Sequence, residues 1–178
     1  MKKLNRDQLK PIKLLILDVD GVLTDGKILY SDSGEEIKAF DVKDGHGIKL
    51  LLRSGMEVAL VTGRESQVVL HRAKDLGIEQ VYQKVMNKIE VYESILKEKK
   101  LNDRNVAFMG DDLVDIPVLR RVGFSATVWD AMPDVKEVVD YTTSRRGGEG
   151  AVREVCELLL KAQNKWEEVT DRYWKHGR

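Results

Sequence analysis

Leu14-Leu15-Ile16-Leu17 is apolar at every position, and the chain turns acidic immediately after it, at Asp18-Val19-Asp20-Gly21. A strand with one wet face alternates apolar and polar residues. One that is apolar throughout needs cover on both sides, as a central strand of a parallel sheet has when helices flank it. The same form recurs at Val58-Ala59-Leu60-Val61, followed by Thr62-Gly63-Arg64, and at residues 106–109, followed by Gly110-Asp111-Asp112. Helical spacing fills the intervals. It predicts helices over 44–54 (Ile48, Leu51 and Leu52 on one face, Gly55 as the stop), 65–76 (ended by Gly77) and 87–100, and shorter or later ones over 112–121, 134–139 and 150–163. Further short strands are predicted near 80–82, 124–128 and 141–143. Residues 27–30 and 36–41, joined by the turn-forming Ser31-Asp32-Ser33-Gly34, predict a β-hairpin flap after the first strand. This alternation predicts an α/β fold, a Rossmann-like three-layer sandwich with a mainly parallel sheet. The expected organisation is one domain over 1–163 and a C-terminal tail, 164–178, to which no structure is assigned.

The bulk numbers exclude more than they select. Thirty basic residues balance thirty acidic ones in a chain of 178, so net charge exerts no pull toward nucleic acid or anionic membrane. No apolar run approaches the ~18 residues of a membrane span, and the first thirteen residues are polar and charged. The single cysteine, Cys156, lies in an apolar helical stretch and reads as a small buried hydrophobe. These features fit a soluble protein of a reducing compartment, and the expected location is the cytoplasm.

In open α/β sheets ligands bind beyond the carboxyl ends of the strands. The residues directly after the apolar runs are therefore the candidates for chemistry. Asp18 and Asp20 can divide the work of nucleophile and general acid/base at a phosphate ester. Two carboxylates facing a phosphate would repel it, so a hard cation held by few protein ligands is expected, and Mg²⁺ suits this. Asp111 is the third acidic partner. Lys88 can neutralise charge at the start of a helix, Thr62 can donate a hydroxyl hydrogen bond, and Gly63 admits close backbone approach. Each has a simpler reading: Asp-Gly as a turn, Asp112 as a helix cap, Thr62-Gly63 as an ordinary strand-to-helix turn, Lys88 as a solvated lysine. What favours the chemical reading is that all four segments fall at one edge of one sheet.

Taken in order, residues 18–25, Thr62-Gly63-Arg64, Lys88 and residues 110–115 resemble the four motifs of the haloacid dehalogenase superfamily, with similarity running from about residue 14 to 163. The resemblance implies a phosphatase with Asp18 as nucleophile and Asp20 as general acid/base. Thr62 and Lys88 would bind phosphate. Mg²⁺ would be held by Asp18, the backbone carbonyl of Asp20 and Asp111, supported by Asp112 and Asp115. Members of the superfamily often insert a cap domain, but the short intervals here leave no room for one. The capless pattern, with Asp44-Gly45 and the late segment 145–154, resembles the 3-deoxy-D-manno-octulosonate 8-phosphate phosphatase family of lipopolysaccharide synthesis. That family implies a homotetramer whose neighbouring subunits complete each site, and a phosphorylated sugar acid as substrate. Arg64, Arg72 and Arg146 are the candidates for its carboxylate, because arginine recognises carboxylates bidentately. A sister group acting on a nine-carbon 9-phosphate tends to have Glu after the Thr-Gly pair and Lys eleven positions later. Arg64 and Asp75 stand there, favouring the eight-carbon substrate, whereas Glu149 departs from the arginine many family members carry. Two other classes remain for comparison. A non-catalytic oligomerisation domain would be expected to lack motif residues that are all present here. A signalling receiver domain places its phosphoacceptor on a middle strand rather than the first. His46, a loop histidine without a metal-spaced partner, reads as structural or exposed.

Overall fold

The computed structural model of the chain describes residues 4–175. The apolar runs become strands because their side chains are covered on both faces. All four residues of β1 (Leu14–Leu17) are buried. A separate antiparallel ribbon follows, β2 (Leu29–Tyr30) with β3 (Glu36–Ile37), and then α1 (Val42–Arg53). The ribbon is shorter than predicted on both arms. Among the described residues it is a sheet of two strands only, and Leu29, Tyr30 and Ile37 are exposed, so few ladder positions are stabilised. Next come β4 (Glu57–Val61), α2 (Gln67–Leu76), β5 (Gln80–Tyr82), α3 (Lys88–Lys99) and β6 (Val106–Met109). The chain continues through α4 (Ile116–Leu119), β7 (Phe124–Thr127), α5 (Pro133–Val138), β8 (Tyr141–Thr142), α6 (Ala151–Ala162) and α7 (Trp166–Thr170).

Six strands form one wholly parallel sheet in the order β5-β4-β1-β6-β7-β8. Right-handed crossovers put α1 and α2 on one face, joined there by α6, and α3, α4 and α5 on the other, consistent with their contacts. This is the three-layer α/β sandwich expected. Register aligns the site: Leu17 lies beside Leu60 of β4 and Met109 of β6, so Asp18, Thr62 and Gly110 emerge together. Connections leave β1 toward both edges of the sheet, and the crevice opens at that switch in strand order.

Two sequence expectations are corrected. Residues 112–121 do not form one helix. A 3₁₀ turn, Leu113–Asp115, precedes a single helical turn in α4, because the Asp115 carboxylate folds back to accept from the N–H groups of Asp111 (3.0 Å) and Asp112 (3.2 Å). The segment left without structure contains α7 and a 3₁₀ turn, Asp171–Tyr173. It is fastened by Lys165, whose N–H bonds to the Leu160 carbonyl at 2.9 Å and whose ammonium bonds to the Ser54 carbonyl at 2.9 Å. Residues 176–178 of that tail lie outside the described residues.

Candidate active site

The tips of β1, β4 and β6 each contribute a part of the site. Asp18 follows β1 and is 7% exposed. Its Oδ1 accepts from the Val19 N–H at 2.7 Å, and its Oδ2 lies 2.6 Å from the Lys88 ammonium. Lys88, the first residue of α3, also donates to Asp115 Oδ1 at 2.6 Å. A buried ammonium is costly unless paired, and here two carboxylates hold it. Burial pushes the Lys88 pKa down, but Asp18 and Asp115 outweigh it and the net direction is up. The lysine is a fixed positive charge at the strand edge, not a solvated one.

After β6 the chain turns through Gly110 and places Asp111 opposite Asp18. Carboxylate oxygens of Asp18, Asp111 and Asp115 all lie within 4.8 Å of one another. Oδ1 of Asp111 is buried with no hydrogen-bond partner among the described residues. Burial, reinforced by Asp18, Asp115 and Asp112, pushes the Asp111 pKa up to about 8. Burial and Asp115 push Asp18 up to about 6, against the pull of Lys88. An orphaned buried oxygen in a cluster of like charges fits a cation site. The donor set is all oxygen, which suits a hard divalent ion. Gly21 makes room for the Asp111 side chain: its φ is +85°, and a Cβ there would overlap the Asp111 carboxylate.

Thr62, at the end of β4, is 2% exposed, and its hydroxyl accepts from the Arg64 N–H at 3.4 Å. Asp20 points across the cleft. Its Oδ1 pairs with Lys38, which lies just past β3, and its Oδ2 is 3.8 Å from Arg64 Nε. Thr24 cinches the intervening loop, accepting from the N–H groups of Gly21 (3.3 Å) and Gly26 (3.2 Å). Together these segments enclose a cleft of about 390 Å³, with Met86 and Val114 at its apolar rim.

Of the residues singled out in the sequence, the fold brings Asp18, Asp20, Thr62, Gly63, Arg64, Lys88, Asp111 and Asp112 to this one cleft. Asp115 lies beneath it, fully buried, and it, not Asp112, completes the acidic cluster. Asp112 is exposed and accepts from the Leu113 N–H at 2.7 Å, the helix-cap reading. Arg72 and Arg146 are elsewhere in this chain. Arg72 donates to the Asp41 carbonyl at 3.2 Å and lies over the Phe40 ring. Arg146 pairs with Asp130 at 3.6 Å and stacks on Trp129 at 4.4 Å. His46 bonds Arg153 (3.1 Å) and Tyr173 (3.0 Å), away from the cleft. Lys38 and Glu36 were not singled out, although their two-residue spacing on a strand puts them on one face of the hairpin.

Comparison with known proteins gives this geometry a family. Residues 77–155 match a family model described as haloacid dehalogenase-like hydrolase. The chain is 50% identical over 158 residues to the 3-deoxy-D-manno-octulosonate 8-phosphate phosphatase KdsC of Escherichia coli (strain K12), covering 89% of this chain and 84% of that protein. A crystal structure of 3-deoxy-D-manno-octulosonate 8-phosphate phosphatase from Moraxella catarrhalis, in complex with magnesium ion, phosphate ion and KDO, superposes with a TM-score of 0.92. The two are 42% identical, with 94% of this chain and 97% of that one covered. The corresponding enzyme from Yersinia pestis superposes with a TM-score of 0.90 at 45% identity, covering 91% and 88%. The chain belongs to the haloacid dehalogenase superfamily and, within it, to the 3-deoxy-D-manno-octulosonate 8-phosphate phosphatase family.

Proposed function

We propose that this protein is a Mg²⁺-dependent phosphomonoesterase that releases phosphate from 3-deoxy-D-manno-octulosonate 8-phosphate. The observation that carries the reading is the buried Asp18–Lys88–Asp115 arrangement beside Asp111, whose Oδ1 has no hydrogen-bond partner among the described residues, opposite Asp20 and Thr62. Asp18, Asp111 and the backbone carbonyl of Asp20 would hold the ion. Once bound, Mg²⁺ supplies Lewis-acid neutralisation of the phosphate charge.

The chain's own residues then account for both halves of the reaction. Lys88 and the Thr62 hydroxyl orient the phosphate, and Lys88 keeps Asp18 in place as a nucleophile. An Asp18 carboxylate oxygen attacks phosphorus while the bond to the sugar oxygen breaks, and Asp20 delivers its proton to that oxygen. Asp20, now a carboxylate, takes a proton from water. The water oxygen attacks phosphorus, the bond to Asp18 breaks, and inorganic phosphate leaves with Asp18 and Asp20 restored. Arg64 at the mouth of the cleft would meet the sugar-acid carboxylate. Arg72 and Arg146 would contribute from neighbouring subunits of a homotetramer, whose walls would exclude water from an uncapped site. Residues 1–163 would act as one domain with 164–178 as its tail, and the setting would be the cytoplasm. Among the described residues no helix is long and apolar enough to cross a membrane.

The test is phosphate release with Mg²⁺ from a panel of phosphorylated sugar acids and common sugar phosphates. The eight-carbon acid should be preferred, with activity lost to chelator and restored by Mg²⁺. Preference for the nine-carbon acid would overturn the substrate, and silence across the panel would overturn catalysis. Sedimentation showing a fully active monomer would overturn the shared site.

A further inference from the structure

The hairpin places a charge beside Asp20 that the scheme above leaves unused. Lys38 belongs to a ribbon outside the main sheet, yet its side chain is only 1% exposed. Its ammonium pairs with Asp20 Oδ1 and lies 3.4 Å from Glu36 Oε1. The same Glu36 oxygen accepts from Arg64 Nη2 at 2.9 Å, and Arg64 Nε stands 3.8 Å from Asp20 Oδ2. Four charges thus alternate around a ring: Lys38, Asp20, Arg64, Glu36. Lys38 makes the only hydrogen bond to the Asp20 carboxylate among the described residues. The loop that carries Asp20 does not fix the direction of its side chain. The hairpin does.

We infer that Lys38 is a positioning residue for Asp20. It holds the carboxyl group where its proton meets the departing sugar oxygen, and Glu36 keeps Lys38 and Arg64 apart as the two cations flanking that group. Without Lys38, Asp20 keeps Arg64 as its one cationic neighbour in the ring, and Glu36 shares that same guanidinium. The carboxyl group then swings toward Arg64 and away from the leaving oxygen. Because buried charges tolerate loss of a partner poorly, the whole ring is expected to rearrange and not Asp20 alone. This inference rests on the reading of Asp20 as proton donor.

The test separates proton delivery from everything else by changing the leaving group. p-Nitrophenolate departs without protonation, whereas a primary alkoxide does not. In rapid-mixing experiments, Lys38→Met should keep the wild-type rate of the first p-nitrophenol burst and then turn over slowly, because water activation also needs Asp20. With a primary alkyl phosphate the first step itself should slow by ~10²-fold. Lys38→Arg, which keeps the positive charge, should recover part of that loss. Lys38→Gln carries the same comparison in a milder variant should Lys38→Met not fold. Equal slowing of the first step with both leaving groups, or slowing with neither, overturns the inference while the phosphatase reading stands. A wild-type enzyme inert toward every phosphate ester overturns that reading instead.

Discussion

A single lysine sets the character of the site. Lys88 is shared by Asp18 and Asp115 at 2.6 Å each, so the nucleophile is held by a cation that is itself held from behind. Replacing Asp18 by Asn removes the attacking oxygen's charge and keeps the side chain's volume. Burial already disfavours ionisation of Asp18, raising its pKa to about 6, so the neutral amide relieves a strained charge cluster. Asp18→Asn is therefore expected to abolish phosphate release without lowering the melting temperature. A variant that still turned over would show that another oxygen attacks phosphorus. Asp18 and Asp111 could be picked out from sequence because they stand just past runs apolar on both faces, whereas Lys88 and Asp115 could be placed only through the resemblance to the family motifs. Lys38 could not be found in that way. It reaches Asp20 only because the fold brings the ribbon beside the loop after β1, a tertiary event with no local signature beyond the shared face of Glu36 and Lys38.

At the level of elements, the interior strands and the long helices were readable because burial on both sides of β1, β4 and β6 leaves an unmistakable pattern. The pieces that differ are those whose shape comes from one side chain or from distant packing. Asp115 tightens residues 113–115 into a 3₁₀ turn, and α7 forms because Val169 is buried and Trp166 packs partly against the core, too few apolar positions to show a period. The glycine-rich segment before α6 is another such case. Gly148 donates to the Val22 carbonyl at 3.0 Å, and Gly147 donates to Asp130 at 3.0 Å. A Cβ on Gly147 would overlap the Gly21 carbonyl. Gly147→Ala must therefore push on the loop between Asp20 and Thr24. It should cost about 1–3 kcal/mol as overpacking does, and it should lower kcat in protein that remains folded. Gly34, at the hairpin tip, has a left-handed φ of +81° and nothing within 4 Å of a Cβ. Gly34→Ala should cost roughly 1–2 kcal/mol through left-handed backbone strain alone and leave kcat unchanged. Urea melts and steady-state rates on the two variants make the comparison, and equal kcat in both would mean that the loop does not depend on its glycine neighbour.

For the molecule as a whole, a formal net charge of zero conceals an uneven distribution, with acidic groups buried at one sheet edge and at the α1–α6 junction. The first site has a remedy in a bound cation. Saturating Mg²⁺ should raise the melting temperature by roughly 5–10 °C through binding to the native state alone, and Asp111→Asn should abolish that rise whatever its effect on rate. The second site has no such remedy. Asp44 is 1% exposed and accepts from the N–H groups of Arg153 (2.7 Å) and Gly150 (3.2 Å) at the start of α6. Those donors favour its charged form, but burial outweighs them and raises its pKa from 3.8 to about 6. The sign follows from linkage. Below 3.8 the carboxyl is protonated folded or unfolded, and it contributes no pH dependence. Between 3.8 and about 6 the unfolded chain releases the proton while the native state retains it, so stability is lost as pH rises. Above about 6 both states are ionised and the loss levels off at on the order of 3 kcal/mol. Asp44→Asn has no proton to lose. Urea unfolding at pH 4 and pH 7 should therefore find the wild type falling relative to Asp44→Asn across that interval. The opposite trend would mean that the amides at the start of α6 outweigh burial, and that the junction is held by a charge and not by a neutral acid.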